Sequence, residues 1–97
     1  MGREAVSGGI ELAAPRLTVD RIVIEFSLKT GAAVDVSIFD VRGRLLRRLP
    51  QGDLRRGRYT RSWAGEDDAG AAVASGVYFV TVRTKGYAVS KRFVLLH

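Results

Sequence analysis

Cysteine is absent from the 97 residues. Neither a disulfide framework nor a thiolate metal site can form, and the antibody type of immunoglobulin domain, with its inter-sheet disulfide, is excluded. The absence leaves the compartment open, because a domain of this size folds without such staples. Histidine occurs once, as His97 at the end of the chain, so no triad or histidine metal site rests on it. The serines, among them Ser27, Ser62 and Ser75, have no nucleophile motif around them, and Ser75 before Gly76 reads as a turn residue. No apolar run approaches the roughly 20 residues of a membrane-spanning helix. Residues 1–9 lack the hydrophobic core of a signal peptide and read as a flexible leader or linker. The chain is then either cytoplasmic or a piece of a longer exported protein. Sustained helical periodicity is also missing, which removes helical folds.

What is present is alternation. Ile22, Ile24, Phe26 and Leu28 alternate with Val23, Glu25 and Ser27, which marks a strand with one buried face. Val34, Val36 and Ile38 repeat the pattern, and residues 40–44 form a tight hairpin with Gly43 at a position needing positive φ. Asp40 organises that hairpin. A third, irregular strand carries Leu45, Leu46 and Leu49 and ends at Pro50, followed by a polar loop over residues 51–57. Further strands are expected over residues 59–63, 77–84 and 87–96, with Val89, Phe93 and Leu95 inward, and an edge strand over residues 10–14. About seven short strands at intervals near ten residues predict an all-β, immunoglobulin-like antiparallel sandwich, one domain over residues 10–97. The apolar fraction of 46% is that of a soluble globular domain.

Residues 63–70, Trp-Ala-Gly-Glu-Asp-Asp-Ala-Gly, are the most distinctive stretch. Gly65, Gly70 and the following Gly76 supply backbone angles that other residues resist. Glu66, Asp67 and Asp68 could ligate calcium, but the run lacks alternating ligand spacing, and Asp67 holding backbone amides is the preferred reading. Trp63 and Tyr59 share a face, either as core or as a sugar-binding platform, with core preferred. Arg42, Arg44, Arg47, Arg48, Arg55, Arg56, Arg58 and Arg61 concentrate the net charge of +6 in mid-chain. Nucleic acid is set aside as a partner, because few aromatics interleave with these arginines. No enzyme and no cofactor emerge from these residues.

Several stretches together resemble a known pair of families. They are residues 24–28, residues 36–44, Gly57-Arg58-Tyr59 leading to Trp63, then Gly65, Asp67 and Gly70, residues 74–79 including Gly76 and Tyr78, and the final Lys91-Arg92-Phe93-Val94-Leu95-Leu96. Over roughly residues 20–96 the chain resembles the type IX (Por) secretion sorting domain, and equally the immunoglobulin-like domain of the flagellar hook-capping protein. Ala64 stands where the family usually has Asp, and no Asn-Pro-rich segment opens the chain. The resemblance implies a non-catalytic C-terminal module that sorts a larger secreted protein and attaches it at the cell surface. Secretion or anchoring machinery would pair with the last strand, at Lys91, Arg92, Phe93, Val94, Leu95 and Leu96, by strand addition. A tethered N-terminal cargo domain is implied, and an extracellular or cell-surface location. The alternative is a carbohydrate-binding or adhesive module of a multidomain hydrolase, with polysaccharide as partner. A structural assembly domain, as in the hook cap, is a third reading, and it predicts a self-association surface.

Overall fold

A computed structural model describes the backbone of residues 5–96 and the side chains of residues 8–96. Within them the chain forms nine strands: β1 (Ala5–Ser7), β2 (Ile10–Leu12), β3 (Arg16–Leu17), β4 (Ile22–Leu28), β5 (Ala32–Asp40), β6 (Leu45–Leu54), β7 (Gly57–Trp63), β8 (Gly76–Thr84) and β9 (Tyr87–Leu95). All pairings are antiparallel, in two sheets. In the first, β4 is flanked by β7 on one side and by β2 and β3 on the other, with β1 beyond β2. The second runs β6-β5-β8-β9. This is an immunoglobulin-like β-sandwich. Among the described residues no helix is long and apolar enough to cross a membrane.

The period of two decides which side chains meet between the sheets. From the first sheet come Ile10, Leu12, Ile22, Ile24, Phe26, Leu28 and Trp63, and from the second Val34, Val36, Ile38, Tyr78, Val80, Val82, Val89, Phe93 and Leu95. β4 buries every second residue without exception. At about 1.5–3 kcal/mol for each large aliphatic or aromatic side chain, this shared face is the main source of stability.

Three expectations are corrected. The strand expected to end at Pro50 runs on to Leu54, so residues 51–54 are strand and not loop. Val34 pairs with Gly52 and Asp35 with Pro50, which leaves Gln51 as the extra residue of a bulge. Pro50 fits because β6 is the edge of its sheet, where a missing N–H costs no ladder bond.

The leader expected over residues 1–9 divides. Residues 1–4 lie outside the described residues, whereas Ala5–Ser7 pairs with Ile10–Leu12 around Gly8 and Gly9. The edge strand expected over residues 10–14 is therefore an inner strand at Ile10–Leu12. It resumes beside β4 as β3, with residues 13–15 opposing only residues 24 and 25. The break contains Pro15, and Ala13 N–H still reaches the Glu25 carbonyl at 3.0 Å.

Candidate functional site

The hairpin between β5 and β6 is organised by one carboxylate. Asp40 Oδ1 accepts the backbone N–H of Arg42 and of Arg44, each at 2.9 Å, and Oδ2 accepts Arg44 Nε at 3.1 Å. These bonds, the Arg44 amide foremost, favour the ionised form and hold the Asp40 carboxyl below the ordinary aspartate range. Gly43, at φ 81°, makes the reversal possible. The group organises the turn, with both oxygens engaged by the hairpin.

The acidic loop between β7 and β8 follows the same logic. Asp67 Oδ1 accepts the amides of Ala69 at 3.0 Å and Ala71 at 2.9 Å, while Gly65 and Gly70 stand at φ 80° and 86°. Gly76, at φ 159°, lies near extended backbone, so the loop's conformational demand rests on Gly65 and Gly70. Asp68 turns the other way: its N–H reaches the Leu46 carbonyl at 2.9 Å, and its Oδ1 accepts the Arg48 N–H at 3.1 Å. Arg47 Nη1 donates to the Asp67 carbonyl at 3.0 Å. The loop is thereby sewn onto the outer edge of β6. Its carboxylates diverge, and among the described residues no three acidic, histidine or cysteine groups converge on a cation position.

Trp63 is not a sugar platform. It is 3% exposed, its Nε1–H donates to the Glu66 carbonyl at 2.7 Å, and its ring meets Tyr78 and Phe93 edge-on. Tyr78 hydroxyl donates to the Ala74 carbonyl, closing the far end of the loop. Tyr59 stacks on Phe26 at 5.5 Å between centroids, under the Arg61 guanidinium. Trp63 joins the two sheets, whereas the Phe26–Tyr59 pair lies within the first.

The last strand does not present its six residues as one surface. Phe93 and Leu95 are buried, Lys91 is half-buried, and Arg92, Val94 and Leu96 face solvent. β9 pairs with β8 along its full length, and on its other side it lies against β1, β2 and β3 of the facing sheet. His97 lies outside the described residues. The arginines are dispersed likewise. Arg44 pairs with Asp40, Arg48 with Asp35 at 2.9 Å, Arg47 with the acidic loop, and Arg61 Nε donates to the Gln51 side chain.

Sequence reasoning overlooked the outward face of the second sheet. Leu45, Phe39 and Phe79 stand in register there, with Val77 opposite Val94 beside them. Phe39 and Phe79 lie within residues 36–44 and 74–79, which carry the family resemblance; two outward phenylalanines on neighbouring strands were the available signal.

A cross-braced sandwich of two antiparallel sheets with this strand order has the immunoglobulin-like fold. The model of the FlgD Ig-like domain matches residues 12–86, and the chain belongs to that family. It is similar to the crystal structure of FlgD from P. aeruginosa, at a TM-score of 0.66 and 22% identity over 97% of this chain and 74% of that one. No curated protein matches. The hook-capping half of the resemblance therefore stands. The type IX sorting and surface-attachment reading is overturned by this family match, which ends before Lys91, as is the carbohydrate-binding alternative.

Proposed function

We propose that the chain is a non-catalytic structural module of a hook-capping type of assembly, working outside the cytoplasmic membrane within a larger exported protein. The observation that carries this reading is the family match over residues 12–86. In keeping with it, Asp40 and Asp67, read from the sequence as turn-holding carboxylates, accept backbone amides. A scaffold module has to keep its surfaces at fixed separations under load. Two antiparallel sheets, an aromatic brace across them and a loop bonded to the outer edge of β6 provide that stiffness.

Two measurements in the cell that makes the protein test the reading. Immunogold labelling of the chain should decorate growing flagellar hooks, and deleting its coding region should stop hook growth with the export apparatus intact. Normal hooks in the deletion strain, or labelling away from flagella, would refute the proposal.

A further inference from the structure

Antiparallel pairing gathers four connections at one end of the sandwich: residues 8–9, 29–31, 55–56 and 85–86. They touch one another. Lys29 N–H donates to the Gly9 carbonyl at 2.9 Å, the Gly8 backbone lies against the Tyr87 ring, and Gly31 lies against the Leu54 carbonyl and Arg55. A hollow between them is lined by Gly8, Thr30, Gly31, Lys85 and Tyr87. These connections carry Lys29, Arg55, Arg56 and Lys85 and no carboxylate. All four cations are exposed, and among the described residues none has an ion pair or a hydrogen bond to its charged group. One residue further into the strands the charges balance, with Glu11 and Asp53 at the same level as Arg58 and Arg83. The loop cations are therefore a surplus that the fold itself leaves unanswered.

The opposite end is built differently. There Asp20 meets Arg21, Asp40 meets Arg44 and Asp68 meets Arg47. The large aliphatic side chains exposed among the described residues, Leu17, Val19, Val41, Leu45, Val94 and Leu96, all lie towards that end as well. The basic end has Tyr87 instead, 53% exposed. This contrast bears on what the basic end meets. A protein partner buries an apolar centre from which charge is depleted, and the basic end has the reverse composition. Single-stranded nucleic acid stacks its bases on several aromatic rings along a track, and here one ring stands among cations spread over the ends of both sheets. An anionic bilayer attracts cations without demanding an apolar partner or a fixed ligand geometry. Its surface is two-dimensional, as this array is, and tyrosine rings settle at its headgroup level.

We propose that the end carrying Lys29, Arg55, Arg56 and Lys85, with Tyr87 among them, docks the module onto a bilayer surface that contains anionic lipids. The proposal goes beyond the assembly reading and does not depend on it. Docked in this way, the module turns its exposed aliphatic end away from the bilayer. With four cations and no inserted aliphatic side chain, the attachment is weak, reversible and sensitive to salt.

The test sediments the full chain with vesicles of phosphatidylcholine, either alone or with one phosphatidylglycerol in three. The chain should bind the mixed vesicles, leave the neutral ones in solution, and be released by added salt. Arg56→Gln combined with Lys85→Gln should weaken binding at least tenfold, since each cation near an anionic surface contributes about fivefold. Arg42→Gln combined with Arg92→Gln removes the same charge from exposed positions away from this end, and should change binding less than twofold. All four substitutions are at exposed positions, and a dispersed NMR spectrum checks that each variant is folded. Equal binding to the two vesicle types, no binding, or equal losses in the two double variants each overturn the proposal. Tighter binding to duplex DNA than to vesicles at equal phosphate overturns it too, because the partner is then nucleic acid. Saturable NMR shifts at these loops with soluble glycerol phosphate also overturn it, because the site then takes a single phosphate and needs no surface. Hook labelling together with failed vesicle binding rejects the basic end alone. Vesicle binding together with labelling away from hooks rejects the assembly reading alone.

Discussion

Replacing Trp63 with alanine measures how much the joint between the sheets contributes. The indole is 3% exposed and lies edge-on to Tyr78 and Phe93 at centroid separations of 5.8 and 5.9 Å. Removing a buried Trp side chain costs about 3–5 kcal/mol, counting lost transfer energy and the cavity left behind. Two effects bear on where the value falls. Each aromatic pair is worth about 0.5–1.5 kcal/mol beyond its burial, and both pairs vanish at once. The Nε1–H bond to the Glu66 carbonyl contributes about 0.5–1.5 kcal/mol net, but Glu66 lies in an exposed loop where water can take over. The expected loss is therefore about 4 kcal/mol, a large part of the roughly 5–15 kcal/mol that holds a domain folded.

Urea denaturation at unchanged m gives the number directly. Thermal melts should show the midpoint falling by more than about 12 °C, since about 1 kcal/mol moves a chain of this length by 4–8 °C. Trp63→Phe keeps a ring against Tyr78 and Phe93 and loses the N–H bond, so it should cost about 1–2 kcal/mol. Trp63 is the sole tryptophan, so emission of the native chain reports this position alone and should be blue-shifted and weakly quenched by iodide. A loss below about 1 kcal/mol in Trp63→Ala, with m unchanged, would refute the assignment of Trp63 as the joint.

Three further outcomes are expected. Gly70→Ala should lose about 1 kcal/mol in urea denaturation from the backbone alone, because φ is 86° and no atom lies within 4 Å of the added Cβ; Gly70→Asn should lose less. Gly8→Ala should push the Tyr87 ring away, since the new Cβ would overlap it, and costs about 1–2 kcal/mol; in the double variant with Tyr87→Ala the two losses should fall short of their sum. The folded Asp40 carboxyl titrates below its unfolded counterpart, so its stabilisation is present above the unfolded pKa and is lost as pH falls through the folded one. Asp40→Asn should accordingly be less stable than the parent at neutral pH, and the gap should narrow with acidification in pH-dependent melts.

The alternation in β4 and β5 was legible because each of these strands has a partner on both sides and buries one face. Nothing there competes with the period of two. β6 was misread over residues 51–54 because Pro50, Gln51 and Gly52 have the composition of a turn. At a sheet edge that composition fits a bulged strand equally well, since one side of the ladder is unoccupied. β1 was missed because three small or β-branched residues carry little signal on their own. The Gly8-Gly9 pair between Ser7 and Ile10 is a hairpin signal, and it gains weight only once β2 is known to exist. Asp40 and Asp67 could be read as amide-binding carboxylates from their neighbours, since a short acidic side chain beside a glycine turn reaches backbone donors locally. Gly76 could not be separated from Gly65 and Gly70, because sequence shows a glycine and not its φ.

The two families that the sequence resembled could not be parted by the residues carrying the resemblance, and the structure gives the reason. Asp40 and Gly43 turn a hairpin; Gly65, Asp67 and Gly70 shape a loop; Trp63 and Tyr78 close the sheets. Every one of these positions reports how a sandwich is closed, so any protein closing one in this manner shares them. The residues that distinguish one partner from another are outward positions, where the strand period fixes direction and leaves chemistry free. Phe79 illustrates the difference. Val80 beside it has to be apolar because the core surrounds it, whereas an outward Phe79 adds nothing to the space between the sheets. Half-buried beside Phe39 on the neighbouring strand, it contributes through cross-strand pairing, which many apolar residues could supply, and so the fold alone does not dictate its identity.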